Sequence, residues 1–206
     1  MQPNKHVAVR CYESHPPLKL SDGLVIYGGS CLYPAVKDAD VYVGLDYGMQ
    51  TNHKAYPWEP GYSFLYPITD MKAPDDPASF SDMIDWLIVQ LTANAKVHVG
   101  CIGGHGRTGT VLSALVARMM GEKDAIEYVR KNYCHKAVES QAQVSFLMKH
   151  YGVNAAHGAK EYIDLPKTAR QQSLDAYAGY RDTARKSSVT VGVGKSIWSE
   201  NVVVVK

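Results

Sequence analysis

The sequence predicts an α/β protein with a central, mostly parallel sheet flanked by helices and followed by a C-terminal extension. Three observations support this: short strand-like runs in the first hundred residues, amphipathic helical stretches beyond them, and a strand–helix–strand–glycine loop–helix order around residue 100. Strands joined by a crossover helix pair in parallel. The length of 206 residues fits one domain plus an extension, and we place the domain at 1–152 and the extension at 153–206.

Five runs have the composition of strands. They are rich in β-branched and aromatic residues and are bounded by Gly, Asp or Pro: residues 6–11, 24–27, 41–45, 62–66 and 96–100. In the extension the pattern weakens to a polar helix and two valine-rich strands, at 168–186, 188–194 and 201–205. The extension could cap the domain, or pair with the domain's own sheet, with a second copy or with a partner.

Four helices are predicted in the domain. The first begins near Ser79, where Asp82 three residues later completes a capping-box pattern and Pro77 marks the preceding break. Apolar residues at helical spacing give it a buried stripe, at positions 80, 83, 84, 87, 88 and 91. The second follows the glycine loop with an apolar face, formed by Val111, Leu112, Leu115, Val116 and Met119. Residues 123–132 and 139–151 supply the others.

Composition narrows the class of protein. Hydrophobic residues make up 46% and charged residues 20%, enough for an ordinary core. A net charge of +2 without a Lys/Arg run disfavours nucleic-acid and membrane partners. No apolar run is long enough to span a bilayer, and the first residues are too polar for a secretory signal. We therefore expect a cytoplasmic protein whose four cysteines are reduced thiols, and no pattern indicates its oligomeric state.

The segment CIGGHGRTGT contains the main candidate catalytic residues. Cys101 and Arg107 bracket five residues of a tight loop, namely Ile102, Gly103, Gly104, His105 and Gly106. A loop that ends at a helix N-terminus directs several backbone N–H groups at one anion, and these groups favour a nucleophilic thiolate at Cys101. Arg107 offers a planar fork for two phosphate oxygens, and Thr108 can hydrogen-bond the sulfur and ease its departure.

This loop resembles the signature of cysteine-dependent protein tyrosine and dual-specificity phosphatases. The resemblance covers roughly residues 20–152 and implies that Cys101 is the nucleophile, while Arg107 and residues 102–106 bind phosphate. It also implies a phosphorylated protein or peptide as substrate, carrying phosphotyrosine or phosphoserine/threonine. No cofactor is expected, and the Cys and His residues show no zinc-ligand spacing, so no metal is expected either.

A general acid must protonate the leaving oxygen. The family places an aspartate about thirty residues before the cysteine, and Asp70 lies 31 before Cys101 in a segment similar to the acid loop of cyclin-dependent-kinase-associated phosphatases. Asp75 and Asp76 are rivals that could instead serve the turn and the helix dipole. Gln143 matches the family glutamine that positions the hydrolytic water, or it is a solvent-facing helix residue.

Two positions depart from the family pattern. Gly100 replaces the histidine that usually precedes the cysteine, which predicts a less rigid loop with a weaker hold on the thiolate. His98 or His105 could compensate, or could simply be packed or solvated. Glu139 stands where glutamine is common and could orient water or repel a dianionic substrate.

Two alternatives to a protein phosphatase therefore stay open. One is a phosphate-binding pseudophosphatase that acts as an interaction module, which Gly100 and Glu139 would favour. The other is the same chemistry on a nucleotide or RNA phosphate, which the absence of a basic run disfavours.

Overall fold

The computed structural model describes residues 15–47, 62–159 and 203–205, which form six strands and four α-helices. The strands are β1 (Leu18–Lys19), β2 (Val25–Ser30), β3 (Val41–Gly44), β4 (Tyr62–Leu65), β5 (Val97–Cys101) and β6 (Val203–Val205). The helices are α1 (Pro77–Thr92), α2 (Gly106–Met120), α3 (Ala125–Asn132) and α4 (Gln141–Tyr151).

The strands form one sheet in the order β1-β2-β5-β3-β4-β6. The three inner pairings, β2 with β5, β5 with β3 and β3 with β4, are parallel, whereas β1 and β6 join the edges antiparallel. Gly100 lies opposite Gly29 on β2 and Gly44 on β3, so the carboxyl ends of these strands meet at one edge. The predicted α/β fold with a mostly parallel sheet is confirmed.

Strand boundaries differ from the predicted ones in detail. β2 extends to Ser30, beyond the predicted end at residue 27, and β5 ends on Cys101. The short edge strand β1 was not predicted. The strands predicted at 6–11 and 188–194 and the helix at 168–186 lie outside the described residues.

In the segment predicted to be an extension, β6 pairs antiparallel with β4. Its backbone therefore adds to the domain's own sheet, which is one of the arrangements that the sequence left open.

The first helix begins earlier than predicted. Asp76 is its N-cap, since the carboxylate accepts hydrogen bonds from the backbone N–H groups of Ala78 at 2.9 Å and Ser79 at 3.2 Å. Proline is tolerated at the first helical position, so the helix can begin at Pro77. Ser79 is therefore a buried residue of the first turn and not the cap. The predicted buried stripe packs as expected along the helix, through Phe80, Met83, Ile84, Leu87 and Leu91.

The core lies between the helices and one face of the sheet. Alternation along β5 turns Val97, Val99 and Cys101 toward this core, in which α2 contacts β5 and the other three helices. α2 is buried from Gly106 through Val116 for this reason. Among the described helices, none is both long and apolar enough to cross a membrane.

Candidate active site

The glycine loop connects the end of β5 directly to α2. Cys101 is the last residue of β5 and α2 begins at Gly106, so Arg107 and Thr108 belong to the first helical turn. Gly104 has φ +71°, and a Cβ there would lie 2.8 Å from the carbonyl carbon of Gly29, so only glycine fits this turn. At the other variable positions Ile102 is exposed, and a side chain at Gly103 would meet the ring of His105.

Thr108 hydrogen-bonds both the backbone N–H and the sulfur of Cys101. Its hydroxyl oxygen accepts from the backbone N–H of Cys101 at 2.9 Å and lies 3.2 Å from the sulfur. Cys101 is only 3% exposed, and Thr108 is fully buried. The hydroxyl can therefore donate to the sulfur, in the arrangement that the sequence predicted for this pair.

The Arg107 guanidinium is held through its two terminal nitrogens, Nη1 and Nη2. Nη1 donates to the carboxylate of Asp46 and to the carbonyl oxygen of Ile68 at 3.1 Å, and Nη2 lies 3.1 Å from the carboxylate of Asp70. Burial opposes the charge, but the negative charges of Cys101, Asp46 and Asp70 raise the pKa of Arg107 above its ordinary value. Nε is buried with no hydrogen-bond partner among the described residues.

Asp46 is the site residue that sequence reasoning missed. It is buried and follows β3 by two residues, in the segment VYVGLD. β3 is the parallel neighbour of β5, so the residues that follow both strands lie at the same edge of the sheet. An acid just beyond a buried strand was the available signal, but using it requires knowing that β3 and β5 are neighbours.

The structure places Asp70 at the site and its two rivals elsewhere. Asp70 reaches Arg107 with a side chain that is 73% exposed. Asp76 caps α1, which is the helix role predicted as its alternative, and Asp75 is exposed beside it. Of the three candidate acids, Asp70 is the one that the structure pairs with Arg107.

Gln143 is not solvent-facing. It is 1% exposed, and its side-chain oxygen accepts from the backbone N–H groups of Glu139 and Ser140, completing a capping box at the start of α4. Its Nε2 donates to the carbonyl oxygen of Lys72 at 3.4 Å. A Cβ on Gly106 would lie 3.0 Å from this Nε2, so Gln143 borders the loop.

Glu139 contacts the loop directly. One carboxylate oxygen accepts from the backbone N–H of Gly106 at 3.0 Å. Gly106 belongs to the set of loop amides predicted to bind phosphate, so this carboxylate occupies one donor of the predicted anion site.

Gly100 fills a position with no room for a histidine. A Cβ there would lie 2.6 Å from the backbone nitrogen of Cys31, because β2 and β5 approach closely. His98 is packed: it is fully buried, its Nε2 accepts from the Ala35 N–H at 3.3 Å, and burial lowers its pKa to about 3. Its hydrogen bond therefore goes to Ala35 and not to the loop.

His105 contacts two residues from other parts of the chain. Its Nδ1 lies 3.3 Å from the sulfur of Cys134, and its ring meets that of His15 edge-on at 5.2 Å. Burial lowers the pKa of both histidines, that of His15 to about 4, and the charges of Lys136 and His135 contribute further. Both imidazoles are therefore neutral near pH 7.

The fold is that of the protein tyrosine and dual-specificity phosphatases. Human DUSP28 matches with 18% identity and a TM-score of 0.52, over 66% of this chain and 93% of that one. A form of human DUSP28 with one substituted residue matches with 19% identity and the same TM-score. Tk-PTP in its active form is 27% identical with a TM-score of 0.48, over 56% of this chain and 80% of its own.

Sequence comparison finds relatives whose function is unknown. Two uncharacterized proteins of Methanocaldococcus jannaschii are each 46% identical over 68 residues, 33% of this chain. The chain spans less than half the length of these curated relatives, 42% of one and 46% of the other. No protein-family model matches the chain.

Proposed function

We propose that the protein is a cysteine-dependent phosphatase that hydrolyses phosphate monoesters on phosphotyrosine or phosphoserine/threonine proteins. The observation that carries the proposal is the edge of Arg107 formed by Nε and Nη2. Asp46 holds Nη1, Asp70 on Nη2 is exposed and can be displaced, and Nε is buried with its N–H unsatisfied among the described residues. Two phosphate oxygens complete this edge as a bidentate pair and remove the cost of the unsatisfied donor.

The first chemical step is attack by the Cys101 thiolate on phosphorus. The S–P bond forms as the P–O bond to the leaving group breaks, and Asp70 donates a proton to the leaving oxygen. The loop amides and Arg107 stabilise the charge on the equatorial oxygens, while Thr108 donates to the sulfur. Asp70 lies beside the guanidinium of Arg107. Its carboxyl group can therefore reach the leaving oxygen, which lies opposite the sulfur, once phosphate has bound to Arg107.

The second step returns the enzyme to its starting state. Asp70 takes a proton from water, the water oxygen bonds to phosphorus, and the S–P bond breaks to release the thiolate and inorganic phosphate. Gln143, buried at the edge of the loop, positions this water through its Nε2 after giving up the 3.4 Å hydrogen bond to Lys72.

Hydrolysis of p-nitrophenyl phosphate tests the proposal. Wild type should turn over, Cys101→Ser should not, and Arg107→Lys should lose at least about 100-fold in kcat/KM because lysine lacks the planar fork. Asp70→Asn should lower kcat about 10²–10⁴-fold, whereas Asp75→Asn, an exposed change five residues along, should have no effect. Turnover that survives Cys101→Ser would refute the mechanism.

One observation favours a second candidate, a phosphate-binding module with little catalysis. Glu139 already occupies the Gly106 amide and adds a negative charge beside the anion site. Under this alternative, wild type would bind tungstate, a phosphate analogue, without hydrolysing p-nitrophenyl phosphate. A panel of phosphopeptides, nucleotides and triphosphorylated RNA then distinguishes the substrate classes.

A further inference from the structure

Three potential metal ligands, one of them a residue of the glycine loop, lie close together. His15 precedes β1, His105 is the residue before α2, and Cys134 follows α3. One donor atom from each lies within 4.8 Å of the other two, and the Cys134 sulfur is 3.3 Å from His105 Nδ1. These residues are 90 and 29 positions apart in the chain, so no ligand spacing could reveal them.

Tyr133 determines which nitrogen of His15 carries the proton. The tyrosine hydroxyl donates its single hydrogen to the carbonyl oxygen of Gly104 at 2.7 Å, and its oxygen lies 2.8 Å from His15 Nδ1. Nδ1 must then be the donor to Tyr133, which leaves Nε2 as the basic nitrogen. A histidine that donates from one ring nitrogen while the other holds a metal is the usual arrangement in metal sites.

The position of Tyr133 is itself built into the fold. Its ring lies against Gly28 on β2, where a Cβ would come within 2.7 Å of the ring. Glycine at this position therefore makes room for the side chain that orients His15.

We propose that His15, His105 and Cys134 bind a zinc ion, with a water molecule in the fourth position. Two imidazoles and a thiolate are a ligand set that zinc prefers. In a tetrahedral zinc site, sulfur and nitrogen ligands are about 3.6 Å apart and two nitrogens about 3.3 Å apart. The 3.3 Å between Cys134 Sγ and His105 Nδ1 is already close to the first distance. The wider separations, which are at most 4.8 Å, would have to shorten by no more than about 1.5 Å when zinc binds.

The charge around the cluster makes the thiolate essential. The positive charge of Lys136 acts on both imidazoles and opposes a bound cation. Cys134 supplies the compensating negative charge when it loses its proton to bind zinc. We therefore expect Lys136→Gln to strengthen zinc binding several-fold and substitution of Cys134 to abolish it.

A bound ion would join the glycine loop to two other parts of the fold. His105 lies between Gly104 and Gly106, so zinc would tie the loop to the segment before β1 and to the end of α3. The site uses neither Cys101 nor Arg107, and its existence does not depend on the phosphatase proposal.

Zinc titration of the full-length chain tests the site. Protein freed of metal with a chelator is titrated with ZnCl₂ against a chromophoric competitor, in a Cys101→Ser background that removes the thiol of the glycine loop. We expect one ion per chain, an affinity at least 100-fold lower in Cys134→Ser and in His15→Gln, and a loss of about 10–100-fold in Tyr133→Phe. His150→Gln, which changes an exposed histidine on α4, is the matched control and should bind normally.

Cobalt gives a second readout that identifies the sulfur. Co²⁺ added to the Cys101→Ser protein should produce a thiolate-to-cobalt charge-transfer band that Cys134→Ser lacks. If Cys134→Ser fails to fold, the zinc affinity of His15→Gln decides the question. Zinc affinities in both variants within twofold of the background, or binding that requires Cys101, would overturn the proposal.

Discussion

Asp46 and Asp70 contact the same guanidinium, but replacing each with asparagine should have different consequences. Asp46 and Arg107 are both buried, at 7% and 4% exposure, whereas Asp70 is largely in solvent. Asp46→Asn keeps the shape and one acceptor oxygen but removes the negative charge. Arg107 then keeps carbonyl partners at Nη1 and the exposed Asp70 at Nη2.

These contacts determine how much unfolding free energy Asp46→Asn should lose. Removing one partner of a buried ion pair costs about 3–5 kcal/mol of unfolding free energy, and the asparagine oxygen recovers part of this as a hydrogen bond to a charged donor. We expect Asp46→Asn to destabilise the protein by about 2–3 kcal/mol. Asp70→Asn should cost no more than about 1 kcal/mol, because its pair is screened by solvent.

Urea unfolding followed by far-ultraviolet circular dichroism measures the difference. With a slope of about 2 kcal/mol per molar, the midpoint of Asp46→Asn should fall by about 1–1.5 M, while that of Asp70→Asn stays near wild type. The activity ranking should be the reverse, with the larger loss of kcat in Asp70→Asn. An Asp46→Asn midpoint equal to that of wild type would refute the assignment of Asp46 as the buried partner of Arg107.

Three further predictions concern the loop and its surroundings. Glu139→Gln keeps an acceptor for the Gly106 N–H but removes a negative charge, so tungstate, measured by calorimetry, should bind about 3–10-fold more tightly. His98 is neutral when folded, with a pKa near 3, but gains a proton below about pH 6.5 when unfolded. The unfolded chain then binds more protons, so stability should fall by about 2 kcal/mol from pH 7 to pH 5 through this group, and His98→Gln should remove that part. Gly100→Ala places a Cβ against the Cys31 backbone and should cost at least about 1–3 kcal/mol in urea unfolding.

Each of these predictions has a control or a contradicting result. Glu122→Gln removes a partly buried carboxylate two residues beyond the C-terminal end of α2 and should leave tungstate affinity unchanged. Equal tungstate affinity in Glu139→Gln and wild type would mean that Glu139 does not oppose the anion. An unchanged pH dependence in His98→Gln would show that His98 is not held neutral. A Gly100→Ala protein as stable as wild type would show that β2 can move away from β5.

Much of the fold and the glycine loop of the candidate site were accessible from the sequence because they depend on local order along the chain. Cys101, Arg107 and Thr108 fall within eight residues, and a strand that leads through glycines into a helix brings such neighbours together. Apolar periodicity likewise predicted α1 and its buried face. The start of α1 was misplaced because Asp76 and Ser79 are both good N-cap residues. Packing decides between them, and in the structure Asp76 caps the helix while Ser79 is buried in its first turn.

Tertiary structure alone decided the residues that act on the loop from a distance. The sheet order puts β3 beside β5, although α1 and β4 separate them in sequence, and this brings Asp46 to Arg107. Packing of α3 likewise brings Tyr133 to Gly104 from 29 residues away. Sequence by itself determined the α/β class and predicted a phosphate-type loop, because propensity, periodicity and short-range spacing act within one segment. Only the folded structure determined what holds that loop, because those contacts join segments whose proximity depends on the packing of the whole sheet.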